Sequence, residues 1–271
     1  MVVALAVLIA WDVCRLGVLL RRALDGDRRA GLQSRVVELG DRLADLFADS
    51  RPVGMVANGL NVLSNLAFLI VGGYGAVKVV RMPAGPATGL IESRERWPYA
   101  LFFVSVALTG VGSAYYHWAP DTLRLFWDRL PMTIGFMAFL AAVISERLGV
   151  TVGLLALGPL VAGGAASVIF WRAGELRGAG DLRPYALVQF LPALLILLML
   201  WLCPARYTGG AYLLGVLGFY AAAKIFEALD GAIFSLGHAL SGHTLKHLAV
   251  ALAAWWVLHA LETRRAVEEQ T

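Results

Sequence analysis

The chain has 271 residues, of which 59% are hydrophobic and only 15% charged. A water-soluble domain of this size carries about 25% charged residues. The deficit excludes a soluble enzyme, a disordered chain and a secreted disulfide scaffold, and it leaves a polytopic membrane protein. The net charge of +4 does not point to nucleic acid, because basic residues of membrane proteins gather in loops and set orientation.

Met1–Leu20 is apolar but broken by Asp12 and Arg15. Its arginines follow the apolar run, whereas a cleavable signal has positive charge ahead of it. The stretch reads as an extra spanning helix, an interfacial helix or an extension from a misassigned start. Residues 21–57 alternate basic and acidic side chains over apolar positions such as Val36, Leu39, Leu43 and Phe47. That pattern fits an amphipathic surface helix, with a solvated linker helix as the bland alternative.

From 58 onward come seven runs long and apolar enough to span a bilayer, which takes about 20 residues each. They lie at roughly 58–80, 97–118, 126–146, 148–171, 184–203, 209–235 and 242–262. The runs are continuous rather than alternating, which excludes a β-barrel. The expected fold is all-α: a seven-transmembrane-helix bundle over 58–262, preceded by the segment 1–57 and followed by a polar tail, 263–271. Cys14 and Cys203 sit in separate apolar runs and read as free thiols. Loop charges that include Arg147, Arg206, Arg264 and Arg265 place the C-terminus in the cytoplasm. The arginine-rich composition suggests a GC-rich bacterial source and hence an inner-membrane location.

Ionisable groups at membrane depth are costly, so each is a functional candidate. Asn58, Asn61, Ser64 and Asn65 begin the first span, and Ser113 and His117 end the second. Asp128 and Arg129 open the third. Lys224, Glu227 and Asp230 lie late in the sixth, and His243, Lys246 and His247 open the seventh. In an antiparallel bundle all of these share one membrane face. His243 and His247 are four residues apart, on one helical face, as in helical zinc motifs. With His117 they would form the three-ligand set of an open tetrahedral site. The bland reading is helix-end histidines at the water interface. Ser113 lies one turn from His117, though taken alone a small-residue helix contact outweighs a functional role. Asp128, shortly before Pro131, taken alone reads as a helix N-cap before any functional role. Glu227 and Asp230 are candidates to support a ligand, or Glu227 pairs with Lys224; the pairing is favoured. Asn65 and His238 are further supporting candidates, and His259 reads as interfacial.

Four motifs in order, Ser64-Asn65-Leu66, Gly112-Ser113-Ala114-Tyr115-Tyr116-His117, Asp128-Arg129-Leu130-Pro131-Met132 and His243-Thr244-Leu245-Lys246-His247, resemble the alkaline ceramidase family. That family belongs to a membrane-hydrolase superfamily that also holds the adiponectin receptors. The resemblance covers roughly 40–262. It implies zinc on His117, His243 and His247, with Ser113 and Asp128 beside it. The implied reaction is hydrolysis of the amide of a ceramide-like membrane lipid. Asp128 would shuttle the proton or orient a histidine. Eukaryotic members bind calcium through an acidic N-terminal segment. Asn58 stands at the matching Glu position here, so calcium is not expected. The rival readings are a non-catalytic heptahelical receptor, a retinal protein with Lys224 or Lys246 as its Schiff-base lysine, and a transporter.

Overall fold

The structure is a computed structural model that describes residues 47–267. The N-terminal apolar run, Cys14, most of the amphipathic segment and residues 268–271 lie outside them. Among the described residues the regular structure is helical: α1 (Gly59–Leu63), α2 (Leu66–Arg81), α3 (Arg96–Trp118), α4 (Thr122–Arg147), α5 (Val150–Glu175), α6 (Arg183–Leu202), α7 (Tyr212–Ala228), α8 (Asp230–Ser235) and α9 (Gly242–Thr263). A 3-10 turn, Ser93–Glu95, leads into α3. Six helices, with α1 and α2 together making one, are long and apolar enough to cross a membrane.

The run expected at 209–235 is not one continuous helix. α7 has 17 residues, which rise about 26 Å, short of a hydrocarbon core of about 30 Å. The break falls at Leu229, just before Asp230. That carboxylate accepts from the backbone N–H groups of Ala48 (3.0 Å) and His243 (2.7 Å). The tail end of the expected amphipathic segment also differs. Residues 47–57 are irregular, with a short bridge between Val53 and Val56 around Gly54.

Helix α4 is the centre of the bundle and packs on α3, α5 and α6, while α9 packs on α7 and α2. Close approach depends on missing side chains. A Cβ at Gly72 would lie 2.3 Å from the Ala107 nitrogen, and one at Gly112 would lie 2.2 Å from the Trp127 carbonyl oxygen. The second contact brings the α3 backbone beside Trp127 and Asp128, so Ser113 meets Asp128 across the interface. The expected start of α4 is corrected. Asp121, not Asp128, is the N-cap, accepting from the Arg124 N–H at 2.7 Å. Asp128 and Pro131 are interior to the helix, so a capping role no longer accounts for Asp128.

The membrane face opposite the histidine layer holds a second polar network. Glu146, at the end of α4, receives Arg264 (2.7 Å), Tyr212 (2.7 Å) and Tyr99 (3.3 Å) on one oxygen. Arg147 lies beside its other oxygen at 3.6 Å. The Arg264 guanidinium also covers the Tyr207 ring at 4.0 Å and donates to the Gly89 carbonyl. Burial pushes the Tyr207 phenol above its ordinary value, so it remains a donor to Glu95. Arg147 and Arg264 read as loop charges in the sequence, yet they are 7% and 3% exposed. Residues 206–208 pair with 265–267 and draw the tail across this end.

Candidate metal centre

Two helix ends bring the histidines together. His117 lies in the last turn of α3, and His243 and His247 lie in the first two turns of α9. Their ligand nitrogens all lie within 4.8 Å of one another. The His117 and His243 Nε2 atoms are 3.1 Å apart. Two nitrogens bound to one tetrahedral ion at 2.0–2.1 Å stand roughly 3.3 Å apart. The three histidines therefore form a candidate metal site. His117 and His247 are buried and His243 is half-buried.

Each ligand is held from outside the cluster. The Ser64 hydroxyl lies 2.7 Å from His247 Nδ1 and donates to the Asn61 carbonyl at 3.0 Å. With its proton engaged there, Ser64 accepts from Nδ1–H, and Nε2 keeps the free lone pair. Asn58, in the left-handed region at φ 49°, donates to the His117 carbonyl at 2.8 Å and holds the end of α3. Asn61 is fully buried. It accepts from Thr244 (3.0 Å) and Ser241 (3.4 Å) and donates to the Asp49 carbonyl. This ties the first span to the start of α9, where Ser241 is the N-cap.

Residues 47–51 form one wall. The Phe47 ring meets His117 edge-on at 4.5 Å and His243 at 4.9 Å. Asp49 pairs with Arg51, whose guanidinium sits over Phe234 and donates to the Ala239 carbonyl. The Arg51 guanidinium holds the Asp49 carboxyl below its ordinary value, so the pair stays charged at neutral pH.

The other sequence candidates fall in different places. Ser113 is buried and faces Asp128, with which it interacts; Asp128 also feels Lys246 and Arg129. Neither belongs to the histidine cluster itself. Glu227 carries both Lys224 (2.7 Å) and Lys246 (2.9 Å), as the favoured pairing expected, with Lys246 added. With both amines in ion pairs, neither lysine resembles a free Schiff-base partner. Asp230 reaches His243 through its backbone N–H rather than its ring. Asn65 makes no direct contact with a ligand ring among the described hydrogen bonds: its amide donates to the Asn61 carbonyl, which also accepts from Ser64. His238 is exposed, at φ 51°, against Phe234. His259 is exposed beside Trp256. Sequence reasoning missed the role of Ser64. Its signal was present in Ser64-Asn65, but adjacent helical residues point about 100° apart, and the break between α1 and α2 hides which one faces inward.

Ser64→Ala is expected to weaken metal binding 10- to 100-fold, the usual effect of losing a ligand's supporting partner. A competition titration with a chromophoric chelator measures it. Unchanged affinity would mean that the hydroxyl has no hold on His247.

The chain matches no family model and no curated protein.

Proposed function

We propose that this chain is a zinc-dependent intramembrane hydrolase that cleaves the amide bond of a ceramide-like N-acyl lipid, built as a seven-helix bundle in which α7 is a short seventh span. The observation that carries the reading is three histidine nitrogens converging inside an apolar bundle, with a serine and a carboxylate paired in the same layer. An all-imidazole donor set with no carboxylate in it suits zinc. His117, His243 and His247 would hold the ion, leaving a fourth position open. When bound, it would act as a Lewis acid and make water nucleophilic at neutral pH.

The chain's own groups account for the rest. Gly112 lets α3 approach α4 closely enough for the Ser113 hydroxyl to stand against Asp128. At rest the Ser113 hydroxyl donates to the Asp128 carboxylate, and once Asp128 takes up a proton that hydroxyl is freed to donate to the carbonyl oxygen as it gains negative charge. Asp128 takes the proton from the attacking water and delivers it to the amine nitrogen. The acyl carbon gains the water oxygen, the C–N bond breaks, and a fatty acid and an amine leave. The apolar helices around the layer keep the substrate's chains in hydrocarbon throughout.

The test is purified full-length protein, metal-analysed, incubated with N-acyl lipids in mixed micelles and scored for released fatty acid. Chelator-sensitive release, restored by zinc, supports the reading. Stoichiometric zinc with no release from any N-acyl lipid would favour a receptor that keeps the metal without turnover.

A further inference from the structure

Arg129 follows Asp128 on α4, seven residues into the helix, or about 10 Å from its end. Its guanidinium lies 4.6 Å from the Trp171 ring and 5.0 Å from the Tyr185 ring, over both. Two aromatic faces attract the cation but use none of its N–H donors. Among the described residues, Arg129 Nη1 is buried with no acceptor. The nearby charges are already engaged. Glu227 takes both Lys224 and Lys246, Asp230 takes two backbone N–H groups, and Asp128, which attracts Arg129 electrostatically, takes its hydrogen bond from Ser113. A guanidinium at this depth with an unused donor is costly unless a ligand supplies the acceptor. The Ser113–Asp128 pair does not use it. Unused buried donors also occur on Arg124, Arg147 and Arg264, but each of those has a carboxylate within 4 Å, whereas among the described residues Arg129 has no such ion pair.

We infer that Arg129 is a specificity residue that binds an oxyanion on the amine side of the scissile amide, so the preferred substrates are acidic N-acyl lipids rather than neutral ceramide. This rests on the hydrolase reading. Asp128 serves the departing nitrogen, and although neighbouring helical side chains diverge by about 100°, Asp128 and Arg129 interact electrostatically and both act on Tyr185, whose ring the guanidinium covers. An anionic group carried near that nitrogen therefore lies within reach of the guanidinium, whose planar fork suits a carboxylate or a phosphate. The Trp171 and Tyr185 rings hold the fork in place for the incoming anion.

The experiment compares three lipids of equal acyl length on the zinc-loaded protein: an N-acyl amino acid, a phosphorylated ceramide and a neutral ceramide. The expected result is turnover of one acidic lipid at least tenfold above the neutral one; which acidic lipid leads separates carboxylate from phosphate recognition. Arg129→Gln should lower the acidic-to-neutral ratio at least tenfold, and Arg129→Lys should lower it less. Stoichiometric zinc in both variants reports folding. Equal or faster turnover of neutral ceramide by the unaltered protein, with fatty acid released, overturns the inference and leaves the hydrolase reading standing. If no lipid is cleaved, the hydrolase reading fails, and equilibrium binding of a fluorescent N-acyl amino acid decides on Arg129. Weaker binding by Arg129→Gln supports an acidic-lipid site, and equal binding overturns it.

Discussion

Replacing His117, His243 or His247 with alanine is expected to abolish stoichiometric zinc and lipid-amide hydrolysis together. Structural zinc sites with four protein ligands bind with about 10–16 kcal/mol, or roughly 2.5–4 kcal/mol per ligand. Losing one ligand from a three-ligand site then lowers affinity by roughly a hundredfold or more. The three positions should not respond alike in stability. His117 and His247 are 1% and 3% exposed, so truncation leaves a cavity in the bundle, whereas His243 is only half-buried. His243→Ala should therefore lose metal with the smallest change in thermal unfolding, and it is the cleanest test. Metal content by mass spectrometry and release of fatty acid are the two readouts. Full zinc and full turnover in all three variants would remove the histidine assignment.

Glu146→Ala should be the most destabilising single change at the opposite end of the bundle. Glu146 is 1% exposed and is the shared acceptor for Arg264, Tyr212 and Tyr99, with Arg147 beside it. Removing it leaves two buried guanidiniums without their carboxylate. Breaking a buried ion pair from one side costs about 3–5 kcal/mol. For a chain of this size that lowers the unfolding midpoint by roughly 6–20 °C. Unfolding in detergent measures it, with the double variant Glu146→Leu/Arg264→Leu alongside. Because the penalty comes chiefly from the stranded charge, the double variant should be more stable than Glu146→Ala. A double variant that is worse would mean that packing, not charge, dominates at this end.

Much of the fold was legible because solvent leaves a strong mark on sequence. Continuous apolar runs identify helices by length alone, and they located the six long ones to within a few residues. One run, 209–235, failed as a single helix. The helix breaks at Leu229, and Asp230, which opens α8, accepts from two backbone N–H groups elsewhere in the chain; no periodicity carries that. The convergence of His117, His243 and His247 was legible for the same reason as the helices: polar residues are scarce, and the bundle's antiparallel order sorts them by face. The partners of those histidines were harder. Ser64 and Asn65 look alike from sequence, and only the break between α1 and α2 decides which one faces His247. The Glu146 network was hidden because Arg147 and Arg264 fall at helix ends, where sequence reads them as solvated charges. Their burial depends on Tyr99, Tyr207 and Tyr212, which reach them from three other parts of the chain.

Phe47 gives the centre a boundary that hydropathy does not mark. The first span begins near residue 58, but the wall over His117 and His243 is made eleven residues earlier, by a ring held through Ala48, Asp49 and Arg51. A truncation placed at the start of the first span would keep every candidate ligand and every long helix. It would also open the histidines to bulk water, exposing them to adventitious metals and to faster metal exchange. Expression boundaries for this protein therefore belong upstream of Phe47, and the metal content of a shorter form would describe a different site.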